Sequence, residues 1–217
     1  MGISENIKKI KEGLPENVTL VAVSKTRSVS DILEAYRAGQ RIFGENRIPE
    51  MQTKQAELPA DIAWHMVGHV QRNKVKHIAP FVGLVHAVDS QRLLAEINKE
   101  AKKNKRTIPC LLQLKIAEEA SKYGLCEAEA LQLLKRSKTE HFKNITVEGF
   151  MGMATFTGNE SKLKAEFSKL KAFFELHKGA FQLKTLSMGM SGDHKVAIAV
   201  GSTMVRVGSA IFGARDN

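Results

Sequence analysis

Cysteine is scarce in this 217-residue chain. Cys110 and Cys126 lie far apart and outside any metal-ligand spacing. That argues against a disulfide framework or a thiolate metal cluster, and for a reducing compartment in which both cysteines simply pack. No apolar run is long enough to span a bilayer. The N-terminal MGISENIKKIKEG is polar and amphipathic and lacks the apolar core of a secretory signal. Asn6 stands where a myristoylation signal needs Ser or Thr. A cytoplasmic protein without membrane contact is the expectation. Several catalytic signatures are missing as well. There is no GxGxxG dinucleotide loop and no HExxH metal helix. Nothing resembles an ordered Ser–His–Asp set or a pair of catalytic carboxylates.

What is present describes a globular domain. Hydrophobic residues make up 43% and charged residues 26%, enough chain and apolar content to bury a core. The net charge is +10, which could serve a polyanionic partner. The cations are dispersed, however, over Lys8–Lys11, Arg72–Lys76, Lys102–Arg106, Lys135–Lys143 and Lys162–Lys171. They are interleaved with Glu in helix-like stretches and carry no aromatic ladder. Solvated helix faces are the better reading, and no specific nucleic-acid partner is expected.

Apolar strand-like runs alternate with amphipathic helix-like runs. The strand-like runs are 18–25, 41–46, 63–68, 84–89, 108–117, 145–153, 185–189 and 204–208. Seven helices fall between them and an eighth leads the chain near 3–12. Ser30 is the expected N-cap and Gly39 the C-cap of the first intervening helix. Pro49 opens the next, Ser90 caps a later one, and Gly179 ends the long helix that begins at Glu160. Strict alternation predicts a parallel sheet covered by helices, and eight units predict closure into a single (β/α)8 TIM-type barrel spanning 1–217. A doubly wound open sheet is the alternative, because runs such as 41–46 are short.

In a barrel, chemistry sits at the C-terminal ends of the strands. Lys25 closes the first run, and the period of two puts it on one face with Val21 and Val23. If those valines fill the barrel, Lys25 enters the mouth, where desolvation makes an amine nucleophilic. A snorkelling strand-end lysine is the competing reading. SMGMSGD (187–193) and RVGSAIFG (206–213) are small-residue loops after strands seven and eight, where barrels bind phosphate. They could equally be tight turns. Arg206 lies in an otherwise apolar strand and needs a partner, either a ligand or a structural anion. Glu45 and Asn46 end the second run, His65 and His69 flank the third, and Asp89 stands at a helix-cap position. Lys122 is either a second amine near the mouth or a loop lysine.

These residues resemble a known family. VAVSKT around Lys25, FGENR (43–47), WHMVGHVQRNK (64–74), EEASKYGL (118–125), EGFMGMA (148–154) and the long stretch 186–216 resemble the pyridoxal phosphate homeostasis proteins (YggS/PROSC) almost end to end. Pro49, where that family usually has a polar residue, and a missing proline after Gly149 are departures. The resemblance implies a fold similar to the N-terminal barrel of alanine racemase, with pyridoxal 5′-phosphate (PLP) covalently bound to Lys25 as an internal aldimine. It implies that Ser187, Gly208 and Ser209 cradle the phosphate, with Ser191 beside them. It places Arg206 opposite the pyridine nitrogen and Asn46 near the ring.

Three functions are compatible with these residues. The first is a PLP-binding homeostasis protein, a carrier without substantial turnover that passes PLP to amino acids, other amines or PLP-dependent apoenzymes and works as a monomer. The second is a small PLP-dependent racemase or lyase. The third is nucleic-acid binding. Carbanion-forming PLP enzymes use a protonated pyridinium as electron sink. An arginine, which keeps its proton, opposes that protonation. The sequence ends at Asn217, soon after the eighth strand, and has only Tyr36 and Tyr123 to offer as tyrosine acid/bases. The first reading is therefore preferred.

Overall fold

The computed structural model describes residues 2–119 and 123–214, so Lys122 lies outside the described residues. An amphipathic helix, α1 (Ile3–Glu12), precedes eight strands: β1 (Thr19–Val23), β2 (Ile42–Glu45), β3 (Ala63–Met66), β4 (Leu84–Val88), β5 (Ile108–Leu114), β6 (Ile145–Gly152), β7 (Thr185–Ser187) and β8 (Met204–Val207). All pair in parallel with their sequence neighbours, and β1 pairs with β8, so the sheet closes into a barrel in the order one to eight. The connections carry α2 (Val29–Arg37), α3 (Ile48–Glu57), a 3-10 turn over Arg72–His77, α4 (Gln91–Lys103), α5 (Glu127–Ser137), α6 (Glu160–Phe181) and α7 (His194–Val200). A last turn of helix, α8 (Ser209–Phe212), follows β8. The closed barrel, not the open sheet, is the architecture.

Local signals explain most boundaries, and where expectation fails the reason is visible. α2 is capped by Ser28 and not by Ser30. Ser28 Oγ accepts from the Asp31 amide while the Asp31 carboxylate accepts from the Ser28 amide. That reciprocal box needs an acid three residues on, which only Ser28 has. α6 runs past Gly179 to Phe181, and Gln182 ends it at φ 57°. Phe181 packs on the core and the Leu183 amide reaches the Lys178 carbonyl, so a hydrophobic C-terminal closure outweighs the glycine stop. β1 ends at Val23, leaving Ser24 and Lys25 beyond the strand. β5 ends at Leu114, after which the Lys115 amide donates to the Leu125 carbonyl and the Leu125 amide donates to the Gln113 carbonyl, tying in the returning segment.

Alternation along the strands builds two cores. Val21, Leu84, Ala87, Leu111, Met151 and Met204 plug the barrel lumen. Ala22, Phe43, Trp64, Leu112, Phe150, Leu186 and Val205 face outward beneath the helices. The register shifts between Val85 and Val88 opposite β5, and between Cys110 and Leu111 opposite β6.

At the second shift the barrel wall is tight. A Cβ on Gly149 would lie 1.7 Å from the Thr185 carbonyl oxygen, whereas one on Gly158 would meet nothing within 4 Å. Gly149→Ala must therefore part β6 from β7. Chemical denaturation should show it losing at least about 3 kcal/mol, the upper range for overpacking. Gly158→Ala should be close to neutral.

Candidate functional site

The C-terminal ends of the strands define the mouth. Lys25 is half-buried in the turn after β1. Its strand neighbours Val21 and Val23 serve the lumen, since both side chains flank Gly44 from inside. Asn46 follows β2, and its Oδ1 is buried without a hydrogen-bond partner among the described residues. Gly68, after β3, presses on it. A Cβ there would come within 2.4 Å of the Asn46 carbonyl oxygen, so only glycine permits this approach.

Arg206 lies inside the barrel, 4% exposed. One terminal nitrogen donates to the Ser187 carbonyl at 2.8 Å and to Ser187 Oγ at 2.6 Å, and the other donates to the Gly152 carbonyl at 3.0 Å. No carboxylate pairs with it among the described residues. Burial lowers the guanidinium to about 10, with Asp193 opposing from a distance, so it stays cationic at neutral pH. Among the described residues this charge is offset only by Asp193 at a distance, which favours an anion or a lone pair at the mouth.

The polar chain continues across the lumen. Ser187 Oγ lies 3.1 Å from His86 Nδ1, and His86 Nε2 lies 3.1 Å from His65 Nδ1. One proton occupies the contact between the two rings, so they cannot both be cations. Burial pushes His65 down to about 4. Burial, then His65 and Arg206, push His86 well below the ordinary histidine value. Both imidazoles are neutral at pH 7.

A second cluster lies nearer the rim. Ser191 Oγ accepts from the Gly208 amide at 3.1 Å and the Ala210 amide at 3.4 Å, joining the β7 loop to the start of α8. Ser209, between them, is exposed. The Arg206 amide donates to the Gly189 carbonyl, fixing the same loop from the strand. Arg27, two residues after Lys25, donates to the Gly213 and Ala214 carbonyls and ties the β1 turn to this corner.

Ser191, Gly208 and Ser209 are thus brought together. Ser187 is not with them. It is fully buried with its hydroxyl engaged by Arg206 and His86, apart from the rim that carries Ser191 and Ser209. The period of two along β7 puts it on the lumen side, which sequence spacing alone did not distinguish from the loop. His86 was missed altogether. The register shift beside it makes Leu84, His86 and Ala87 all serve the lumen, which simple alternation does not allow. A cluster of charged groups, buried Glu45 and Lys54 with half-buried Glu50, was also missed apart from Glu45. On the far rim, His69 Nδ1 lies 3.1 Å from Asp89 Oδ2, and its ring is 6.1 Å from that of Tyr123. Tyr36 is on α2, bonded to Asp61. Among the described residues no three His, Cys, Asp or Glu side chains form a metal site.

The family model for the N-terminal domain of alanine racemase matches residues 2–216. The pyridoxal phosphate homeostasis protein of Vibrio alginolyticus is 42% identical over 209 residues, covering 93% of this chain and 88% of that protein. This chain belongs to the pyridoxal phosphate homeostasis protein family. The Escherichia coli K12 homeostasis protein is 36% identical over 210 residues, with 93% and 88% covered. Among solved structures, PipY of Synechococcus elongatus with PLP bound superposes with a TM-score of 0.88 at 35% identity, covering 97% of this chain and 100% of that one. Alanine racemase of Enterococcus faecalis shares the fold at 18% identity and TM-score 0.73, and this chain spans 58% of its length. The homeostasis proteins and this chain thus share the racemase barrel.

The neutral histidine pair has a measurable cost in acid. An unfolded histidine binds a proton below about 6.5. Folded His65 does not until about 4. Between those values the unfolded state holds the extra proton, so stability falls as pH drops from 6.5 toward 4. Unfolding titrations should show the wild type losing up to roughly 3 kcal/mol more than His65→Gln across this window.

Proposed function

We propose that this chain binds PLP at the barrel mouth, bonded through Lys25, and serves PLP homeostasis as a carrier in the cytoplasm. The observation that carries the reading is the convergence of three unlike groups at one mouth. These are a half-buried amine (Lys25), a rim of amides and a hydroxyl (Gly208, Ala210, Ser191), and a buried cation without a carboxylate (Arg206). They suit a molecule that bears an aldehyde, a phosphate and a ring nitrogen. The buried, unpartnered Oδ1 of Asn46 fits as well, since a bound polar group would satisfy it. The PLP-bound PipY structure and the names of the relatives support the same reading.

When bound, PLP supplies an aldehyde that condenses with primary amines and a ring that withdraws electrons from the adduct. The residues of this chain then divide the work. Lys25 supplies the amine. Ser191, Gly208 and Ser209 hold the phosphate through amides and hydroxyls, with charge-assisted bonds worth about 1.5–3 kcal/mol each. Arg206, a donor that keeps its proton, would face the ring nitrogen and oppose its protonation. Ser187, His86 and His65 aim Arg206. Such a site holds and releases PLP by amine exchange at Lys25 and promotes carbanion chemistry poorly. Free amino acids, other amines and PLP-dependent apoenzymes are the proposed recipients, and the carrier works as a monomer.

A small racemase or lyase is the second reading, and the His69–Asp89 pair beside Tyr123 favours it by offering a base at the rim. Acid–base partners contribute about 10²–10⁴-fold. Holoprotein incubated with L- and D-amino acids in D₂O should shift its absorbance without exchanging α-protons or forming products. Exchange at ordinary enzyme rates, lost in Lys25→Ala, would establish the enzyme instead.

The purified protein should be yellow, and hydride reduction should leave a pyridoxyl group on the peptide containing Lys25. Lys25→Ala should lose the adduct yet keep measurable affinity for PLP through the rim. Ser191→Asp should weaken occupancy with Lys25 intact. A reduced adduct found by mass spectrometry only elsewhere, as on Lys122, would refute the assignment of Lys25.

A further inference from the structure

Behind the barrel wall, three charged side chains converge under the Lys25 turn. Lys54 projects from α3 and is 4% exposed, and Glu45, at the end of β2, is fully buried. The Lys54 ammonium has three N–H groups and three acceptors. These are Glu45 Oε1 at 2.8 Å, Glu50 Oε1 at 2.7 Å and the Ser24 carbonyl at 2.7 Å. Glu45 Oε1 also accepts from Ser24 Oγ at 2.6 Å. Glu50 Oε1 accepts from the Thr26 amide. Both chain neighbours of Lys25 are therefore held by the same ionic set. Ser24 is held by its hydroxyl and carbonyl, Thr26 by its amide.

Thr26 shows why holding is needed. Its φ is 64°, in the left-handed region. That is unfavourable for a β-branched residue and persists only where the surroundings over-determine it. Glu50 supplies that determination. Alternation sends Glu45 and Ser24 outward, with Phe43 and Ala22, while Lys25 continues the lumen face of Val21. The charged set thus stands outside the barrel wall and holds the backbone on both sides of Lys25.

We infer that Glu45, Glu50 and Lys54 are positioning residues that fix the Lys25 turn so that its amine is presented to an aldehyde in the lumen. The inference rests on the reading of Lys25 as the PLP-bearing amine. In the step it assists, neutral Lys25 Nζ forms a bond to the aldehyde carbon, and the carbonyl oxygen leaves as water with both amine protons. A purely structural ion cluster is the competing account. Buried ion pairs are weak sources of net stability and can often be replaced by apolar groups without loss, so stability and capture can be separated.

The experiment compares three variants with wild type for total PLP binding, for the rate at which a hydride-reducible adduct forms on the Lys25 peptide, and for thermal unfolding. Glu50→Ala removes the acceptor of the Thr26 amide. Total PLP binding should stay within about threefold while adduct formation slows about tenfold or more, as for a misplaced reacting group. Glu50→Gln, which keeps an oxygen for that amide, should restore the rate. The neutral pair Glu45→Gln with Lys54→Met, which leaves no lone buried charge of that pair, should fold and should also capture slowly. Capture at the wild-type rate in folded Glu50→Ala or in the neutral pair would overturn the inference. So would adduct rate, total binding and unfolding temperature falling together in every variant. If wild type takes up no PLP, the proposed function falls first and the inference with it. Normal wild-type capture with normal variant capture removes only the positioning role.

Discussion

The site depends on one contact, the pairing of β1 with β8. Thr19 to Ala22 lie in register with Met204 to Val207, so Val21 is beside Arg206. That pairing closes the barrel and sets an amine-bearing turn next to a buried cation and a rim of amides. No other strand pair could do so, because Lys25 follows β1 while Arg206 and Gly208 lie on or just after β8. Parallel strands also direct all three to the same end. Closure further removes the sheet edges that an open sheet would expose.

Within that frame the lumen is split by chemistry. Among the described residues, apolar side chains such as Val21, Leu84, Leu111 and Met151 plug it, and a polar chain crosses it from Arg206 through Ser187 and His86 to His65. Desolvating a guanidinium is costly, and here it is offset by two carbonyls and a hydroxyl in place of a carboxylate. The consequence is directional. A carboxylate would have neutralised the arginine, whereas neutral acceptors leave its charge to act on whatever occupies the mouth. The histidines extend this polar row without adding charge of their own.

Much of this was legible in the sequence. All eight strands fall within the expected runs, because alternation of apolar runs with amphipathic helices is a strong signal and the helix caps are mostly local. The positions of Lys25, Arg206, Gly208 and Asn46 followed from the strand ends. What stayed hidden depends on tertiary packing. Glu50 and Lys54 are spaced as an ordinary solvated i, i+4 pair, and nothing in the spacing shows that α3 turns them inward beneath β1. His86 sits in the middle of a strand whose register shift conceals the side it faces. Ser187 and Ser191 share one short segment, yet one belongs to the strand and faces Arg206 while the other belongs to the rim. Ser28 and Ser30 compete for one cap, and the acid at Asp31 decides between them.

Barrel closure also has a meaning in time. The two strands that meet at the seam lie near opposite ends of the described chain, so their pairing is about as non-local as this fold allows. Contacts of that kind form late and slowly, after shorter loops have closed. During synthesis the Lys25 turn, with β2 and α3 to brace it, leaves the ribosome long before Arg206 and Gly208 do. A nascent chain would expose the amine, with its bracing charges, to solvent before any cradle exists. On the proposed reading of Lys25, retention of a small anionic aldehyde would require a completed seam, and its capture would then report that folding has finished.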